Sequence, residues 1–439
     1  MSVVCTHCRA EFPTEKGFTY RRTHSSEGVY TCPTCVARGA ETRFLAWASA
    51  AFAITAIGAS PRTFGLPAQG GFELLFFGAF GITWILQYFV HELAHACAAW
   101  MLGVQVFSIS IGSGSRSAYE GQWFGCRVTV GTIPLGGSII CLPRTRRWAR
   151  LREFLIVLAG PLSNIGCLIG AMGVASEASK ESPWLYISTA VLAVNLIRLP
   201  LMLFPAKVFD DGRVSSNDGR RLLIAFRRTA EQIERSLSAR YRFEATRALR
   251  CGRPEEAHRW LDLGESRYPT DSIYAIARSV LFLFEDRFQE GREAILSLME
   301  KDSALANNGG LQNNLAWANL NLGDPLLLQE AAFLSESALR QDPHNYSCMG
   351  TRGSVLVELN EVEKAIPHLK NALWGHYFKP HKALIQCYLA LAMLKLKDAR
   401  QAEEYLAAAR RLDPRCRLLP RVERAVASCA PSSPAATST

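Results

Sequence analysis

The chain has 439 residues, 49% hydrophobic and 20% charged, with a formal net charge of +10. That length allows two or three domains, and the apolar residues crowd into the part before residue 206. No basic tract alternates with aromatics, which argues against nucleic acid as a partner. Thirteen cysteines, only four of them in a metal-type pattern, suit a reducing compartment better than a disulfide framework. The N-terminus carries cysteines and charges where a secretory signal would have an apolar core, so no signal peptide is expected.

Residues 1–43 read as a small zinc ribbon. Cys5-x2-Cys8 and Cys32-x2-Cys35 are separated by 23 residues, and each short loop can supply two thiolates to a closed tetrahedral site. So small a segment cannot fold on an apolar core alone, so a structural zinc ion would stabilise it. A redox pair is the weaker alternative.

Four apolar segments follow, at 44–59, 72–102, 154–175 and 184–204, of which the first is short for a membrane crossing. Basic residues gather before the first segment (Arg38, Arg43), between the second and third (Arg144 to Arg152) and after the fourth (Lys207 to Arg221). The other two connections hold only Arg62 and Lys180 as basic residues. Four crossings place every basic flank on one side, which predicts a multi-pass integral membrane protein of the bacterial cytoplasmic membrane with both termini cytosolic.

The second segment contains His91-Glu92-Leu93-Ala94-His95. On a helix, residues four apart share a face, so His91 and His95 can hold one catalytic zinc ion, with Glu92 placed to take a proton from the attacking water. Ionisable groups in a membrane-length segment are costly and mark a functional site by default. His91 lies 19 residues beyond Phe72, a helical rise of about 28 Å, which puts the motif near the cytosolic border.

Residues 104–111 and 127–133 alternate like strands and predict a β-hairpin or small sheet beside the motif helix. Pro134-Leu135-Gly136-Gly137 reads as a turn that lets backbone come close to a neighbour. From about residue 240 the pattern changes to soluble amphipathic helices. Ala257, Ala294, Ala331, Ala365 and Ala402 recur at 34 or 37 residues, with Gly264, Ala338, Ala372 and Ala409 seven residues after four of them. Small residues let paired helices approach, so residues 240–416 resemble a tetratricopeptide array of about five imperfect repeats. Residues 430–439 lie in a Ser/Pro/Ala tail expected to be disordered.

Taken in order, the HELAH motif, Pro134-Leu135-Gly136-Gly137, Ala159-Gly160-Pro161-Leu162-Ser163-Asn164, and Asn195-Leu196 followed by Asp-Gly resemble the site-2 protease family of intramembrane zinc metalloproteases. The resemblance spans roughly residues 72–223. It implies a three-helix catalytic core cleaving membrane-spanning substrates after they partly unwind. Glu92 would act as general base and then as proton donor to the leaving amine. Asn164 would hold the substrate strand or polarise its carbonyl, with Asn195 a weaker candidate for a similar role. Both asparagines could equally serve interhelical hydrogen bonds.

The resemblance also implies an aspartate as third zinc ligand, and two triplets compete: Asp211-Gly212-Arg213 and Asp218-Gly219-Arg220. A turn-like stretch follows the first, whereas an apolar-sided helix start follows the second, which favours Asp218. The spacing from Asn195 to Asp218, 23 residues, is longer than the family pattern. Arg198, inside the fourth apolar segment, is expected to snorkel to the cytosolic side.

The fold class expected is mainly α: a polytopic membrane domain at 44–225 with the zinc site and small β insert, preceded by the ribbon and followed by a solenoid of helix pairs. The function expected is endoproteolysis of membrane-spanning substrates, with cytosolic modules recruiting substrate or partner proteins. The chief rival is a non-catalytic membrane scaffold, which has no need of Glu92. A metal transporter ranks third, because a single site gives no relay of ligands across the bilayer.

Overall fold

The computed structural model describes residues 3–5, 8–12, 19–22, 28–59, 68–123, 125–179, 182–210, 213–343, 345–375 and 378–429. Asp211 and the 430–439 tail lie outside them. Two compact units emerge, one joining Met1–Arg38 to Arg253–Thr439, the other comprising Gly39–Gly252.

At the N-terminus, β1 (Val3–Val4) pairs antiparallel with β2 (Glu11–Phe12), and β3 (Thr19–Arg22) with β4 (Gly28–Thr31). Helix α1 (Pro33–Ala59) runs on into the second unit. There, α2 is Ala68–Met101, α3 Ala149–Glu177 and α4 Pro183–Leu203. Three stretches, Glu73–Met101, Ala149–Glu177 and Pro183–Leu203, are long and apolar enough to cross a membrane. At 1.5 Å per residue the shortest rises about 31 Å, the thickness of the hydrocarbon layer. The apolar part of α1, Thr42–Ile57, is shorter. It lays Ala51 and Thr55 against Gly81 and Gly78 of α2.

The expected hairpin is present and longer than its alternation suggests: β5 is Gln105–Trp123 and β6 Cys126–Leu142. Ser108 to Ile111 pair on both sides, with Ser138–Ile140 and Gly137 on one and Arg127–Val130 on the other. Residues 127–130 in turn pair again, with 119–122. The segment read as a turn, Pro134 to Gly137, therefore belongs to a strand, with Gly136 at φ +85°. The sheet buries Val106, Ile109, Ile111, Val128 and Ile139 against Ala96 and Ala99 near the end of α2. Alternation is clear here because one face is covered by a helix.

After α4 come β7 (Lys207–Asp210) and β8 (Arg213–Ser216), an antiparallel pair where a turn-like stretch was expected, then α5 (Asp218–Ala225). Helix α6 (Ala230–Arg250) starts with a reciprocal Thr229/Gln232 capping box. Arg228, just before that cap, pairs with Glu153 of α3 at 2.6 Å, and the Phe243 ring lies 5.4 Å from that of Phe107. These contacts hold α6 in the second unit, which extends to Gly252.

The remaining helices are α7 (Pro254–Arg267), α8 (Ile273–Phe284), α9 (Phe288–Lys301), α10 (Ser303–Ala306), α11 (Gly309–Leu322), α12 (Pro325–Gln341), α13 (Tyr346–Glu358), α14 (Val362–Gly375), α15 (Lys379–Lys395), α16 (Ala399–Leu412) and α17 (Leu419–Cys429). Successive helices pack as pairs in the manner of a helical-repeat array. Ala257, Ala331, Ala365 and Ala402 are buried as their recurrence predicts, but Ala294 is half-buried. In that repeat Gly291 takes the close-packed place, against Leu283, so the register slips by three residues.

The N-terminal strands do not stand apart from this array. Cys5, Ala10, Phe12 and Cys32 share one buried cluster with residues of α13 and α14.

Candidate metal centre

Helical spacing brings His91 and His95 to one face of α2, with their Nε2 atoms 3.1 Å apart. Their Nδ1 atoms are both engaged: His91 donates to Asn164 Oδ1 at 3.1 Å and His95 to the Ile156 carbonyl at 2.7 Å. Both acceptors are on α3. Each ring therefore carries its proton on Nδ1 and turns an Nε2 lone pair inward, the orientation a metal-ligating histidine needs.

Asp218 completes the cluster. Its Oδ2 lies 2.8 Å from His91 Nε2 and 3.5 Å from His95 Nε2. Two imidazole lone pairs and a carboxylate oxygen converging this closely repel one another unless positive charge sits between them. Zinc bound at 2.0–2.1 Å in a tetrahedron sets its ligand atoms about 3.3 Å apart, so the donor set and its spacing fit that ion.

Asp218 gets there because Asn217 ties two helices together. Its Oδ1 caps α5 by accepting from the Arg220 amide and also accepts from the Ala206 amide. Its Nδ2 donates to the carbonyls of Leu201 and Phe204 at the end of α4. The β7–β8 pair occupies the added length between Asn195 and Asp218 and returns the chain to the same place. Asn217 escaped the sequence reading, although an asparagine directly before Asp-Gly is a helix-cap signal.

Two glycines let backbone close on the motif. A Cβ on Gly160 would overlap the imidazoles of both His95 and His91, and one on Gly137 would lie 2.5 Å from Glu92 Cγ. Glu92 itself is buried, with the β6 backbone over it.

Asn164 is buried and spends its oxygen on His91, while its Nδ2 has no partner among the described residues. Asn195 donates to the Val191 carbonyl of its own helix, leaving Oδ1 buried and unpartnered among the described residues. Arg198 does not snorkel: it is buried, donates to the Trp84 carbonyl at 3.2 Å and stacks over Tyr88 at 3.6 Å. Aromatic faces and a carbonyl from α2 satisfy the cation inside the bundle.

Cys5, Cys8, Cys32 and Cys35 also converge, each offering a sulfur within 4.8 Å of the others, with Cys8 and Cys32 3.6 Å apart. Zinc–sulfur bonds of about 2.3 Å give edges near 3.8 Å, so this set too fits a tetrahedral ion. The four thiols are coupled: hydrogen bonds from Cys32 and Cys35 hold Cys5 and Cys8 down, while hydrogen bonding within the set and burial push Cys32 up.

The sequence matches the model of Peptidase family M50 over residues 79–340, more than half of the chain, and the protein belongs to that family. Its members are zinc-dependent integral membrane peptidases. No curated protein matches the sequence. Among solved structures, the chain is similar to a thermophilic TPR protein of Thermus thermophilus (20% identity, 44% of this chain and 98% of that one, TM-score 0.34). It is similar also to one described as MamA MSR-1 C2 (18%, 40% and 97%, 0.28) and to the APC/C hetero-tetramer Cut9-Hcn1 (14%, 66% and 61%, 0.36). Those scores are too low to bear on function.

Proposed function

We propose that this protein is a zinc-dependent intramembrane endopeptidase whose repeat array recruits substrate or partner proteins on the cytosolic side. The observation that carries the reading is the convergence of His91, His95 and Asp218 on one point, with Glu92 on the same helix under the Gly137 backbone. A scaffold would need none of this.

His91, His95 and Asp218 hold the metal, which when bound supplies Lewis-acid polarisation and water that ionises near neutral pH. Glu92 takes the proton from the attacking water and passes it to the leaving amine. Asn164 Nδ2, buried and without another acceptor among the described residues, donates to the scissile carbonyl oxygen. A substrate helix must first unwind, because its carbonyls are hydrogen-bonded. Residues 127–130 are paired on both sides, whereas 137–142 are paired on one side only among the described residues. An extended substrate added along that edge would pass Glu92. Four crossings, with α1 as the first, leave both soluble ends cytosolic.

The test is a co-expressed membrane substrate, found among proteins that accumulate when Glu92→Gln replaces the wild type. Glu92→Gln should retain membrane-domain zinc and abolish cleavage, whereas His91→Ala loses both. Full cleavage by Glu92→Gln would sink the mechanism. Labelling from outside intact cells should reach a thiol introduced at 60–71 and not one at 144–152, and the opposite pattern overturns the orientation.

A further inference from the structure

We propose that the repeat array completes the N-terminal metal site through Asn371, so that loading the four cysteines latches the ribbon onto α13 and α14. Asn371 Nδ2 donates to Cys8 Sγ at 3.4 Å. The residue is buried at 1% exposure, so water does not compete for its amide. A metal-held thiolate carries negative charge, and an N–H donor aimed at it supports that charge as outer-shell partners do elsewhere.

The contact around this bond is extensive. Phe12 is fully buried and meets the His368 ring edge-on, with centroids 5.3 Å apart. Thr34, also buried, places Oγ1 4.0 Å from Met349 Sδ. Cys8 and Cys35 pack on the same apolar cluster. Ala10 and Phe12 are the only non-cysteine apolar side chains buried in the described part of the ribbon, too few for a core of its own. Its order therefore draws on two sources, the metal and the array.

Linkage makes these two reciprocal. If docking tightens the metal site, the metal tightens docking by the same factor. The occupant of this face of α13 and α14 is the chain's own ribbon. Metal loss thus weakens the ribbon's hold on this part of the array.

The experiment uses the full chain in detergent, loaded with cobalt. Thiolate-to-cobalt charge-transfer absorption reports the four-cysteine site alone, because His91, His95 and Asp218 offer no sulfur. Titration with a chelator should show Asn371→Leu weakening the metal about ten- to a hundredfold, with Asn371→Gln, which keeps the donor, recovering most of it. Hydrogen exchange is the second arm. Cys5→Ser/Cys8→Ser should speed exchange of α13 and α14 several-fold and leave α2 to α4 unchanged. Because that variant leaves the array's own side chains intact, it reads docking even where the Asn371 substitution disturbs α14. Wild-type metal affinity in Asn371→Leu, or unchanged exchange in the cysteine variant, overturns the proposal.

Discussion

His91 and Asn164 meet across two helices: Nδ1 of the imidazole donates to Oδ1 of the amide at 3.1 Å, deep inside the membrane unit. This bond selects the tautomer that turns the His91 Nε2 lone pair toward Asp218. It also leaves Nδ2 of the amide buried and without a partner among the described residues. In the proposed mechanism this one residue orients His91 and faces the scissile carbonyl.

Asn164→Leu should therefore cut membrane-domain zinc affinity about ten- to a hundredfold and cleavage by more than that. Asn164→Asp keeps the acceptor for His91 but loses the Nδ2 donor, so it should hold zinc near the wild-type level while cleaving poorly. Metal analysis beside a cleavage assay separates the two roles. Full cleavage by zinc-loaded Asn164→Asp would leave Asn164 with an orienting role only, and zinc loss equal to that of Asn164→Leu would overturn the orienting role.

Gly160→Ala and Gly137→Ala should fail differently. The new methyl at 160 pushes on both imidazoles, so zinc and cleavage fall together. The methyl at 137 pushes on Glu92, so zinc stays while the base moves. A displacement of about 1 Å there can cost about a hundredfold in rate. Retention of full zinc by Gly160→Ala would contradict the packing described.

Asn217→Ala removes a helix cap, worth about 1 kcal/mol, together with both donations to the end of α4. Asp218 then loses its placement, and zinc occupancy should drop although every ligand remains. Asp218→Asn should abolish membrane-domain zinc outright, while Asp211→Asn leaves it unchanged. Loss of zinc only in the Asp211 variant would assign the ligand to the other triplet.

Acid should loosen the ribbon and repeat unit through His368. Burial, and next the Arg352 guanidinium, push this imidazole down from 6.5 to about 4, with the Glu11 backbone and carboxylate opposing. Between those values the unfolded chain binds a proton that the folded chain refuses. Stability contributed by the neutral ring is complete above pH 6.5 and declines as pH falls toward 4, by at most about 1.4 kcal/mol per unit. Thermal unfolding of the full chain across that window should show the slope, and His368→Gln should flatten it. Metal release from cysteines is also acid-driven and His381 is likewise pushed down by burial, so it is the fall in slope on His368→Gln that reports this ring.

Much of this protein is legible along the chain because the signals are local. The HELAH spacing brings two imidazoles to one face through helix geometry alone, the paired Cys-x2-Cys knuckles imply a tetrahedral site, and long apolar runs need a bilayer or a core. Small residues recurring at 34 to 37 positions imply stacked helix pairs, although the slip from Ala294 to Gly291 shows that packing, not sequence alignment, sets the register. What depends on elements meeting from afar was decided only by the tertiary structure. The β7–β8 pair and the Asn217 links to Leu201 and Phe204 place Asp218 against His91. Arg198 stays in the bundle because α2 offers it a carbonyl and an aromatic face, neither visible from α4 alone. The bond from Asn371 to Cys8 joins residues 363 positions apart, and no periodicity or local propensity carries information over that distance.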